Sequence, residues 1–274
     1  MKQHDTTLDR PTRRTFLARG FQASATLLAA AQGGAQAQPG RGVRRDEDSA
    51  AAPSLHGGRR PLDDEDPNVF VFSRFKFKGK QRTQDEWDTL PSGDDNLLRH
   101  IAQATNIKLT SRRWEERVVE IDDFEKLYNT PFLFMTGQVD FKFEEDEAEA
   151  LREYFKRGGF LYADDCDADV GRLLFYEAFT REIQKVLPGH KMERLPHDHE
   201  LYHCFYDIPD GSSWSPRQRA WEPKYPDSAL FVDDRMVCFL TGSDQHCGWA
   251  QRRRELYNDA LKLGTNIVVY ALTH

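Results

Sequence analysis

Short, wholly apolar runs alternate along this chain with longer segments whose apolar residues recur every three to four positions. Val69-Phe70-Val71-Phe72 opens the series, residues 131–135 and 160–163 repeat it, and residues 118–121 read as a short strand. Continuous apolar runs of this length mark strands covered on both faces. Between them, Leu97, Leu98, Ile101 and Ala102 stripe one face of a helix that Ser92 or Asp94 would cap and that runs through about Thr105. Residues 144–157 predict the clearest helix. Acids crowd its first turns, Lys156 and Arg157 close it, and Ala148, Leu151, Tyr154 and Phe155 form its stripe. Gly158-Gly159 then stops it. Val170, Leu173, Leu174, Phe179, Ile183, Val186 and Leu187 predict a further long helix ending before Pro188.

Residues 190–240 read as richer in β-structure, with a hairpin over 230–232 and 236–240 about the turn Asp233-Asp234-Arg235. A last helix spans about 251–263, closed by Gly264, ahead of an apolar strand over 267–272. The alternation predicts an α/β fold: a doubly wound, mostly parallel sheet in a single domain over 67–274, with a β-rich insertion. Sites in such sheets lie at the carboxyl ends of strands, here after Phe72, Met135, Ala163 and Leu240.

The first 66 residues do not join this pattern. Thr12-Arg13-Arg14-Thr15-Phe16-Leu17, a weakly apolar run over 21–31 and Ala35-Gln36-Ala37 follow the order of a twin-arginine export signal with its cleavage site. Residues 1–37 are therefore expected to be a signal peptide and the protein to be periplasmic or otherwise exported. Residues 38–66 carry many charges and only Val43, Leu55 and Leu62 as large apolar side chains, the composition of a disordered charged linker.

Composition narrows the partners. The 274 residues carry 38 Lys and Arg against 45 Asp and Glu, a net charge of −7, which argues against a generic nucleic-acid binder. No uncharged apolar stretch reaches the ~18 residues a transmembrane helix needs, so no such helix is expected in the mature chain.

The strand ends supply the candidate chemistry. Asp164-Asp165-Cys166-Asp167-Ala168-Asp169 places four acids around one thiol, either a metal or polar-ligand site or a loop whose Asp169 caps the next helix. A thiol at a strand-to-helix turn has the position of a nucleophile elbow, but Asp164 and Ala168 stand where glycines are needed, and the flanking acids disfavour a thiolate. His197 and His199 have an extended-strand spacing that a metal can use, against ordinary polar residues leading into a strand over 201–206. Asp244 and His246, after the strand ending at Leu240, form an orienting pair, join the acids after Ala163, or belong to a polar turn. The alternating basic and aromatic residues 74–82 fit an edge strand guarded by lysines better than an acidic-ligand face. The four cysteines fit no zinc-finger spacing, and Cys204 and Cys238 fall in apolar strands as inert core residues.

Several stretches carry a family resemblance: Pro131-Phe-Leu-Phe-Met-Thr-Gly137, Leu151-Arg-Glu-Tyr-Phe-Lys-Arg-Gly-Gly-Phe-Leu161 with Asp164-Asp165, Leu195-Pro-His-Asp-His199, Ser243-Asp244 with Gly248-Trp249, and Gly264-Thr-Asn-Ile-Val-Val-Tyr-Ala-Leu272. On these, the chain from Asn68 to His274 resembles the bacterial domain of unknown function family 4159 (DUF4159). That family is similar to the class I glutamine amidotransferase-like superfamily, which implies a flavodoxin-like fold. The amidotransferase signature itself, Gly-x-Cys-x-Gly with a later His-x-Glu, does not occur in this sequence. The expectation is a domain that binds a small polar or carbohydrate-like ligand, or an envelope protein partner, through Asp164, Asp165, Asp167, His199, Asp244 and His246. The alternative is a hydrolase-like enzyme using Asp164, Asp165, His199 and Asp244, assisted by a divalent metal; His197 and His199 are the metal candidates.

Overall fold

The computed structural model describes residues 68–77, 86–166, 171–216, 218–252 and 254–274. The expected signal over 1–37, the linker over 38–66, and the acids Asp167 and Asp169 lie outside the described residues.

Seven strands form one mixed, mostly parallel sheet: β1 (Ser73–Lys76), β2 (Val118–Glu120), β3 (Phe132–Gly137), β4 (Phe160–Asp165), β5 (Glu193–Arg194), β6 (Ser228–Val232) and β7 (Arg235–Thr241). Their spatial order is β2-β1-β3-β4-β7-β6-β5. The pairs β1–β2, β1–β3, β3–β4 and β4–β7 are parallel, whereas β6 runs antiparallel to both β7 and β5. Six helices accompany them among the described residues: α1 (Pro91–Ala104), α2 (Phe124–Tyr128), α3 (Glu145–Lys156), α4 (Leu174–Val186), α5 (Gln245–Trp249) and α6 (Tyr257–Thr273).

The side-chain period of two sorts β3 and β4 into two cores. Leu133, Met135, Leu161 and Ala163 meet Leu151 and Phe155 of α3 and Phe175 and Phe179 of α4 on one face. Phe132, Phe134, Phe160 and Tyr162 meet Leu97 and Ile101 of α1 and Ile267 and Val268 of α6 on the other. Every residue of β3 and β4 is buried, as expected of central parallel strands.

The structure corrects five expectations. The first helix starts at Pro91 after Leu90, so neither Ser92 nor Asp94 caps it. The first strand is Ser73–Lys76, not 69–72; Phe70 makes an isolated bridge to Leu109, and Phe70 and Phe72 are core side chains. Consequently residues 74–76 form no edge strand, because β1 is paired on both sides and Arg74 is only 1% exposed. The strand expected over 201–206 is instead a 3-10 turn at Glu200–Tyr202 with irregular backbone beyond it, so Cys204 is not a strand residue. The strand expected over 267–272 belongs to α6, which runs unbroken through Gly264. That glycine serves packing rather than termination: a Cβ there would stand 2.7 Å from Leu97 Cδ1 and 3.0 Å from Trp249 Cζ2.

Candidate functional site

The pleat sends the two acids that end β4 to opposite faces of the sheet. Asp165, 1% exposed, accepts the backbone N–H of Tyr176 at 2.8 Å, a cap on the first turn of α4. Asp164, fully buried, turns to the other face. There it accepts Thr241 Oγ1–H at 2.5 Å and the backbone N–H groups of Gln245 at 3.2 Å and His246 at 2.8 Å, at the start of α5. Burial first, and the neighbouring Asp244 second, push the Asp164 carboxyl up to about 8 against those three hydrogen bonds.

Asp244 stands just before α5 in the left-handed region, at φ 58°, and is fully buried. Cys247, in the first turn of α5, has its thiol hydrogen-bonded to Asp244 and to Cys166, the two sulfurs lying 3.1 Å apart. Cys166 follows β4, donates its backbone N–H to Gly137 O at 2.9 Å, and receives the Gln138 side-chain amide at 3.5 Å. The hydrogen bond with Cys247 favours a Cys166 thiolate, but burial and Asp244 prevail and push that thiol up. The Cys247 thiol is also pushed up, by the Cys166 hydrogen bond first and burial next. Both sulfurs are therefore thiols at neutral pH and poor nucleophiles.

A second cluster adjoins the first. Arg74 forms a two-pronged pair with Asp94 in the first turn of α1, Nε to Oδ2 at 3.1 Å and Nη2 to Oδ1 at 2.5 Å, and its Nη1 donates to Trp87 O at 3.1 Å. Trp114 Nε1 donates to Asp94 Oδ2 at 3.2 Å, and the Trp87 and Trp114 rings stack at 5.5 Å. The His246 ring completes the group, its Nε2 lying 3.2 Å from Arg74 Nη2 and 3.3 Å from Asp94 Oδ1. Gly93 lets the ring approach, since a Cβ on it would stand 2.8 Å from His246 Nε2. Burial raises the Asp94 carboxyl, but the Arg74 charge and His246 outweigh it and hold it at about 2. Burial pulls the His246 imidazole down; Asp94 opposes this and Arg74 adds to it.

The candidates divide accordingly. Asp164, Asp244 and His246 share one buried region at the carboxyl edge, and Asp165 sits beside them but faces α4. His199 stands apart. Its ring lies against Phe231 and Tyr270, and Phe231 pairs with Met236 at the opposite end of β7 from Thr241. His197 packs against Tyr202 at 5.9 Å and stands beside the buried Asp227, which accepts Tyr202 OH and Ser212 Oγ–H. The two imidazoles thus face different surroundings, and among the described residues the side chains grouped closely enough to share a metal ion are Cys166, Asp244 and Cys247.

Sequence reasoning missed Arg74, Asp94 and Cys247 as members of this region. Arg74 stood out only as one of the alternating basic residues of 74–82, and its partners lie 20 and 172 positions away.

Residues 74–272 match the family described as Domain of unknown function (DUF4159). No curated protein matches the chain.

Proposed function

Because the chain belongs to the DUF4159 family, whose description names no activity, we propose on physical grounds that it is an exported binding domain and not a glutamine amidotransferase. The ligand is small and polar or carbohydrate-like, or the partner is an envelope protein, and it is held at the acidic carboxyl edge. One observation carries this reading: the imidazole of the region is engaged by Asp94 and Arg74, while the elbow thiol of Cys166 is a protonated partner of Cys247. Nucleophilic catalysis needs a thiol activated by a base, and here the Cys166 thiol meets Cys247 and the Gln138 amide rather than the imidazole. Asp164, pushed up to about 8 beside Asp244 and bonded to Thr241, Gln245 and His246, supports the reading as the buried anchor of that acidic edge. The order β2-β1-β3-β4-β7, reversing direction between β1 and β3, supports a flavodoxin-like fold of the class I glutamine amidotransferase-like kind. Export rests on the twin-arginine pattern at residues 12–17.

Thermal unfolding of the purified chain with millimolar monosaccharides, uronic acids and polyols tests the binding reading. At least one should give a saturable rise in Tm that Asp164→Asn removes; at a hundredfold excess over Kd the expected stabilisation is about 2.7 kcal/mol. No shift across the panel overturns it. Replacing Arg13 and Arg14 by lysine should retain the chain in the cytoplasm on cell fractionation, and unchanged export would overturn the address.

A further inference from the structure

Three ligand atoms from two chain segments converge at the end of β4. Cys166 Sγ, a carboxylate oxygen of Asp244 and Cys247 Sγ all lie within 4.8 Å of one another. Each is fixed by its own backbone. Cys166 is tied to the end of β3 through Gly137 O, Asp244 is set by its left-handed turn, and Cys247 lies three residues on, within the short helix that Asp244 precedes. Cys166 and Asp244 are fully buried and Cys247 is 9% exposed, so this is no solvated acidic surface. Arg74, a buried cation of this end of the sheet, directs its guanidinium to Asp94 and to the carbonyls of Trp87 and Thr89.

We propose that Cys166, Asp244 and Cys247 bind one zinc ion. Two sulfurs and one oxygen suit a borderline-soft, four-coordinate cation, whereas calcium and magnesium require oxygen ligands throughout. On binding, both thiols release their protons to solvent, and the dication meets two thiolates and a carboxylate. A water can take the fourth position. A disulfide is the competing outcome. The sulfurs stand 3.1 Å apart. Two thiolates on a tetrahedral zinc sit about 3.8 Å apart, a separation of about 0.7 Å more. A disulfide at about 2.05 Å requires closing by about 1 Å. A disulfide also leaves Asp244 out, whereas zinc gives all three groups a common partner.

The test uses the full chain produced with zinc in the medium and purified without an affinity tag. Elemental analysis should find about one zinc per chain, surviving gel filtration, and Cys247→Ser and Asp244→Asn should each lower that occupancy at least tenfold. Cobalt loaded into the wild-type chain should show the near-ultraviolet thiolate-to-cobalt band, a readout that needs no variant to fold. Under about 0.1 zinc per chain together with no cobalt band overturns the proposal. So does a count of two reactive thiols rather than four in denatured, unreduced protein, which marks a Cys166–Cys247 bond. Retention is measured without any sugar present, so failure here leaves the polar-ligand reading standing, and failure there leaves the zinc site standing.

Discussion

Asp94 and Asp164 are both fully buried acids that meet the same residue, His246, yet their surroundings drive them apart. Asp94 contacts the His246 ring and is held at about 2; Asp164 contacts the His246 peptide N–H and is pushed up to about 8. The difference lies in the company. A two-pronged guanidinium faces Asp94, so a full opposite charge offsets its desolvation. Asp164 receives one hydroxyl and two peptide N–H groups, and it has Asp244 for a neighbour. Dipoles alone do not outweigh burial combined with a like charge. The first cluster carries its own opposite charge. The second is still short of positive charge, and that shortage makes it the place to look for an occupant.

The contrast breaks most visibly at Arg74. Arg74→Met should destabilise the chain by about 3–5 kcal/mol in urea unfolding at neutral pH, because it leaves Asp94 buried without its partner. Adding Asp94→Asn should recover part of that loss, and a single-variant cost under about 1 kcal/mol would mean the pair is not what sustains Asp94.

The pH dependence sharpens the contrast, since the two acids work with opposite signs. Asp164 keeps its proton when folded up to about 8 but releases it near 3.8 when unfolded. Its contribution is therefore complete below the unfolded value and lost as pH rises through the folded one. Metal-free protein should lose about 2–3 kcal/mol between pH 6 and 8, and Asp164→Asn should flatten that slope. Asp94 is lowered from 3.8 to about 2, so its contribution is present above the unfolded value and fades as pH falls through the folded one. Between pH 4 and 3 the wild type should lose about 1 kcal/mol more than Asp94→Asn in the same unfolding series. Slopes of the same sign at both sites would dissolve the distinction.

The fold was legible where a segment's period matched its burial. The 144–157 stripe became α3, bounded at Glu145–Lys156, because its acids, stripe and stop all agree. Ile267-Val268-Val269 misled because a short β-branched run has no periodicity of its own. Its helical state is decided by packing of Ile267, Val268 and Ala271 against Phe132, Phe160 and Leu97 across the sheet face. Of the site, Asp164, Asp244 and His246 could be read because each ends or follows an apolar strand. Arg74 and Cys247 could not, since their meaning comes from partners brought close only when β1, α1 and α5 meet at one end of the sheet. His199 was drawn in by its spacing to His197, which says nothing about which end of the sheet a residue reaches.

His246 has its ring in one electrostatic neighbourhood and its peptide in the other, with Cys247 as its next residue. Whatever settles on the thiols must tug on a five-residue helix whose first full turn contains that ring, wedged between Phe134 and Trp249. Occupancy should thus be broadcast through the indole and imidazole: a change in Trp249 fluorescence or in the His246 ring resonances would report events at the sulfurs without any label placed there.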